Sequence, residues 1–188
     1  FQDCNFQPST SMSSVLFSIL NNNGETVRKN VDYFKCALKL EKFQRLFFEN
    51  QQKSVFHYRL PFSVNQTNLD IFFDSAENQR AAEDLKTILT LINLFDFYNL
   101  SIEFGYQAFG DQIKSFIEHY QFQPGDVKLI SNFESLDQSF FDNLISMHIN
   151  SLLENMPNDF DELSGLRLFR IFSKSNFSNM TVLCKYLI

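Results

Sequence analysis

Between residues 15 and 31 the chain is written for a β-hairpin. Two strand-like runs, Val15-Leu-Phe-Ser-Ile-Leu20 and Glu25-Thr-Val-Arg-Lys-Asn-Val31, flank Asn21-Asn-Asn-Gly24. Asn23 and Gly24 both tolerate positive φ, as the two central residues of a type I′ turn must, so this dipeptide between two such runs predicts a tight hairpin.

From Asp32 the apolar period lengthens from two to that of a helix. Asp32 can cap a helix start. Phe34, Ala37 and Leu38 share one helical face, and Leu40, Phe43 and Phe47 continue an apolar side, which predicts one or two helices across 32–50. Val55-Phe-His-Tyr-Arg-Leu60 then alternates, with Phe56, Tyr58 and Leu60 on one side, and Pro61 closes that half-buried strand. After it only helical patterns follow. Thr67 opens a short one through Leu69 to Phe73, ahead of a polar stretch from Ser75 to Arg80. Leu85, Ile88, Leu89, Ile92 and Phe95 give the strongest period, and Ile113, Phe116, Ile117 and Tyr120 mark another helix over 111–122. Gln123-Pro-Gly-Asp126 is the best candidate boundary. Beyond it, Phe141, Leu144, Ile145, His148 and Leu152 share a face. Asp159 with Glu162 resembles a capping box that opens a helix on Leu163, Leu166 and Phe169.

Composition narrows the function. The 188 residues include 24 Phe and no Trp. Phe carries a large ring with no polar atom, so this many imply a substantial dry core or an adhesive surface. The net charge of -6 argues against nucleic acid and against anionic membranes, since both need clustered cations. The densest basic stretch, Arg28, Lys29, Lys35, Lys39, Lys42 and Arg45, is interleaved with Asp32 and Glu41 and reads as a solvated face. No apolar run approaches the ~20 residues of a membrane span. Cys4, Cys36 and Cys184 are odd in number and widely separated, so no disulfide framework or zinc motif is written, and a reducing cytoplasm is the simplest expectation. Sequons at Asn65, Asn99, Asn176 and Asn179 fit chance in a chain this rich in Asn and Ser. Residues 1–13 read as a polar arm, and both ends look cut from something longer.

Catalytic patterns are missing. The sequence has no phosphate-cradling glycine loop, no GxSxG and no HExxH. His57, His119 and His148 lie far apart in the sequence. Glu118-His119 and Asp159, Asp161 and Glu162 could do acid–base work in a cleft, but also suit solvated helix ends. Cys36, near Lys35 and Lys39, could be activated by their charge. Its neighbours Phe34, Ala37 and Leu38 point to burial instead. No metal, cofactor or catalytic residue is therefore expected, and an enzyme with a dispersed site is the third-ranked reading.

The element order resembles a BTB/POZ domain followed by a BACK-type helical region. Val15–Leu20 and Glu25–Val31 look like its opening strands, and 32–50 like its helical hairpin. Phe56–Leu60 looks like its third strand, Asn68-Leu-Asp-Ile-Phe-Phe-Asp74 like the helix that follows, and Leu85–Phe97 like the next core helix. The family's His-Lys pair reads Arg28-Lys29 here, and its Tyr-Thr-Gly turn is replaced by Phe73-Asp-Ser-Ala76. The resemblance implies an α+β, predominantly helical chain. A small N-terminal three-stranded sheet flanked by helices would occupy 14–122, and an all-α, incomplete BACK-like extension 126–188. It implies a non-catalytic protein–protein interaction module, an adaptor or scaffold that binds protein partners, itself among them. Cullin-type ligase binding is the family task that the departures weaken most. Family homodimers often form through the first helix after the hairpin, which here points to Tyr33, Phe34 and Ala37; the same residues also read as core. The alternative expectation is a permanent subunit of a large assembly, such as a cytoskeletal one, held through a Phe-rich surface.

Overall fold

In the computed structural model, which describes residues 14–49, 54–78, 85, 89–133, 136–155, 157–161 and 163–177, the hairpin forms. Strand β1 (Ser14–Leu20) pairs antiparallel with β2 (Thr26–Asp32), with Leu20 opposite Thr26. The connection differs from the type I′ expectation. Asn21 N–H donates to the Glu25 carbonyl (2.8 Å) and Gly24 N–H to the Asn21 carbonyl (3.0 Å), so three residues separate the closing pair. Gly24 takes the left-handed conformation (φ 86°) that such a three-residue loop needs after its turn. Asn23 contributes through its side chain instead, its Oδ1 accepting from Glu25 N–H at 3.0 Å.

β2 returns the chain to the starting end of β1. There Asp32 caps α1 (Tyr33–Ala37), its Oδ1 accepting from Lys35 N–H at 3.2 Å. After α2 (Glu41–Glu49) the chain enters β3 (Val55–Arg59), which runs parallel to β1 with Phe56 opposite Phe17. The strand order is β2-β1-β3, the predicted three-stranded sheet, with one antiparallel and one parallel pairing. Its alternation also holds: Phe56 and Leu60 are buried, whereas Val55, His57 and Arg59 are exposed.

Helix α3 (Gln66–Asn78) is longer than its apolar run and starts at a different cap. Asn65 Oδ1, not Thr67, accepts from Asn68 N–H at 2.7 Å. The polar residues after Asp74 stay helical because they are used. Ser75 is buried and donates to the Ile71 carbonyl (2.7 Å), and Glu77 Oε1 accepts from Asp32 N–H (2.8 Å). Lys29 on β2 donates to Asp74 at 2.7 Å.

The strong period near residue 90 forms α4 (Leu91–Phe104), which begins later than the sequence suggests because Thr90 caps it, its Oγ1 accepting from Asn93 N–H at 3.3 Å. Residues 86–88 lie outside the described set. Helix α5 (Gln107–Glu118) starts before residue 111. The turn between them requires glycine: Gly105 has φ 70°, and a Cβ there would stand 2.8 Å from Glu41 Cβ.

Beyond the Pro-Gly break lie α6 (Asp126–Asn132), α7 (Gln138–Met147), α8 (Ile149–Asn155), a 3-10 turn (Pro157–Phe160) and α9 (Gly165–Lys174). The face shared by Phe141 to Leu152 is thus two helices, parted at His148, whose N–H closes on the Ile145 carbonyl at 3.2 Å. The expected capping box is replaced. Glu162 lies outside the described residues, and Ser164 Oγ caps α9 by accepting from Arg167 N–H at 3.3 Å. The chain is α+β and predominantly helical.

The chain groups into two compact units, one drawn from 1–88 and 100–111, the other from 89–99 and 112–188. In the first, Phe17 on the central strand is the hub. Its ring lies 4.7 Å from Phe43, 5.9 Å from Phe73, 6.0 Å from both Phe56 and Tyr58, and 6.1 Å from Phe104. In the second, Phe95 meets Phe141 edge-on at 4.6 Å and Phe133 at 5.0 Å. Many of the phenylalanines therefore form dry cores.

Candidate functional site

The residues singled out for chemistry do not come together. No group of three or more His, Cys, Asp or Glu able to hold a metal occurs among the described residues. His57 is exposed on β3. His119 is exposed, with Nδ1 2.7 Å from the carbonyl of Ser115 one turn earlier. His148 packs against the Phe122 ring at 5.2 Å. Asp159 accepts from Gly125 N–H at 2.6 Å, holding the loop before α6, while Asp161 is exposed. Cys36 is fully buried, and burial pushes its thiol well above the ordinary range, so Lys35 and Lys39 do not activate it. Cys4 and Cys184 lie outside the described residues. Among those residues, no helix is long and apolar enough to cross a membrane.

What the fold does present is outward apolar surface. Helix α1 is anchored by two of its residues. Tyr33 turns inward and donates its hydroxyl to the Phe43 carbonyl at 2.6 Å, and its burial raises the phenol from 10.0 to about 12. Cys36 turns inward beside it. Phe34 and Leu38, one turn apart, face out and are 55% and 71% exposed. Ala37 is half-buried between the two faces. Of the three residues to which the BTB resemblance points, Tyr33 is thus core, Phe34 is surface and Ala37 borders both. Leu38, read from the sequence only as part of the helical face, is the most exposed of this group.

A second outward stripe lies on α9. Its Ile171 is fully buried, whereas Leu166 and Phe169 are 68% and 70% exposed. Of the three residues expected to mark this helix, Leu163 is buried ahead of the Ser164 cap, whereas Leu166 and Phe169 face out. The inward face of α9 is polar at a key point. Arg167 Nε donates to Asp142 Oδ1 on α7 at 2.9 Å and Nη1 to the Ser131 carbonyl at 2.9 Å, with both side chains largely shielded from solvent. The buried Ser146 hydroxyl donates to the Ile171 carbonyl (2.9 Å) alongside.

A charged cluster on the first unit has a structural explanation. Glu103 on α4 bonds both Lys42 on α2 and the Tyr58 hydroxyl on β3. Burial raises the Tyr58 phenol, and the bond to Glu103 raises it further. These groups hold α2 against the sheet.

No known family model matches the chain, and no curated protein is similar to it.

Proposed function

We propose that the chain works as a cytoplasmic, non-catalytic protein–protein interaction module, an adaptor or scaffold of BTB/POZ-like build, that contacts its partner through the outer face of α1. The observation that carries the reading is the exposure of Phe34 and of the C-cap residue Leu38 on a short helix whose Tyr33 and Cys36 are locked into the core. Two large apolar side chains held outward on a rigid mount lose little freedom on binding, which suits a contact anchor. The sheet order β2-β1-β3, with the helix pair between β2 and β3, supports the BTB-like part of the reading.

The test is a display library of random peptides enriched on the immobilised chain and counter-screened on the Phe34→Ser/Leu38→Ser variant. Both positions are exposed, so the variant is expected to fold. Clones should be enriched that lose about tenfold or more in affinity for the variant. Enrichment of no clone, or of clones that bind both proteins equally, would sink the α1 contact.

A permanent subunit of a larger assembly is the second reading. It is favoured by the separate apolar stripe of Leu166 and Phe169, because permanent interfaces are larger and more apolar than transient ones.

A further inference from the structure

We infer that the α1 face takes an acidic peptide segment bearing apolar side chains, and not a second copy of this chain; this rests on the α1 contact proposed above. The basic stretch of the sequence runs from Arg28 to Arg45. Folding supplies close carboxylates for three of its six cations. Lys29 meets Asp74 at 2.7 Å and Asp70 at 3.5 Å, Arg45 meets Glu41 at 2.7 Å, and Lys42 is bound to Glu103.

Of the other three, Arg28 lies on β2, and the two lysines beside the apolar pair are answered weakly or not at all. Lys35 reaches only Asp32, at 3.9 Å, and that carboxylate already caps α1. Lys39 is exposed, and no ion pair joins it to another described residue. Each lysine follows an exposed apolar residue directly, as Phe34-Lys35 and Leu38-Lys39. The helical turn continues past α1, with Leu38 N–H donating to the Phe34 carbonyl (3.2 Å) and Lys39 N–H to the Cys36 carbonyl (3.0 Å), so the apolar pair and the cationic pair form adjacent rows. A segment that fills both rows needs apolar side chains for the first and carboxylates for the second.

A second copy supplies the wrong chemistry. A two-fold contact brings the same patch from each subunit together, so the four lysines of the two rows share one interface and the rows themselves supply no carboxylate. Like charges opposed across an interface disfavour the pairing, and the chain's net charge of -6 adds a general repulsion between copies. That same acidity disfavours an acidic partner in general, while these two cations favour one beside the apolar pair.

The experiment reads the charge of the enriched peptides, with the Lys35→Glu/Lys39→Glu variant as comparison and sedimentation of the chain alone as control. Peptides rich in Asp and Glu beside Leu or Phe are expected. Their affinity should fall as sodium chloride is raised and drop about tenfold on the Lys35→Glu/Lys39→Glu variant. Peptides that still depend on Phe34 and Leu38 but are neutral or basic would overturn the inference and leave the α1 contact standing. A dimer that Phe34→Ser/Leu38→Ser dissociates would do the same. A monomer that enriches no peptide would end both.

Discussion

Truncating Phe17 to Ala is expected to destabilise the protein by about 3–5 kcal/mol, the range for removing a large aromatic ring from a packed core. Phe17 is 1% exposed and sits on the central strand. Its ring touches residues from β3 and three helices: Phe43 on α2, Phe56 and Tyr58 on β3, Phe73 on α3 and Phe104 on α4. The hole left behind is walled by rings fixed on separate elements, and rigid rings cannot slide in to fill it. Phe17→Leu keeps much of the volume and should cost markedly less. Urea denaturation checks both, and a loss below about 1 kcal/mol for Phe17→Ala would show that the ring cluster is not the keystone of this unit.

The second large effect concerns the Asp142–Arg167 pair. Asp142→Ala is expected to cost about 3–5 kcal/mol, because it leaves a guanidinium buried beside α7 with its charge uncompensated. Arg167 would retain the Ser131 carbonyl, while its Nη2 already lacks a hydrogen-bond partner among the described residues. Replacing both partners by apolar residues, Asp142→Leu with Arg167→Met, should restore most of the loss, since the cost lies in the unpaired charge and not in the absence of the bridge. A double variant as unstable as Asp142→Ala would show that the bridge itself stabilises this unit. The pair also fixes how α9 lies: with Arg167 and Ile171 turned toward α7, Leu166 and Phe169 are turned to solvent.

That outcome marks where sequence reading stops. The hairpin, the cap at Asp32, the two short helices and β3 were all legible, because alternation and helical spacing are local signals and each changes at a residue that can end an element. The turn type was not, because Asn21 N–H closes on the Glu25 carbonyl, which makes a three-residue loop with Gly24 left-handed, and Asn23 accepts the Glu25 N–H through its side chain. The polar end of α3 was not, because Ser75 and Glu77 are used by partners far away in sequence. The α9 stripe misled because an apolar residue at helical spacing looks the same whether it faces a core or the outside. Arg167, whose partner is 25 residues earlier, and the buried Ile171 decide which face turns inward. On α1 the spacing grouped Phe34, Ala37 and Leu38 together, yet it could not tell that Tyr33 and Cys36 make the anchor. Nor could it tell which cations of the basic stretch would find carboxylates.

The central claim is that the outer face of α1 is where another protein binds. Amide hydrogen exchange on the chain with and without an enriched peptide tests it most directly. Added protection is expected over α1 and the following turn, Tyr33 to Leu40, with exchange along the exposed edge of β3 and along α9 unchanged. Protection concentrated at Val55–Arg59 or Gly165–Lys174, with none on α1, would contradict it.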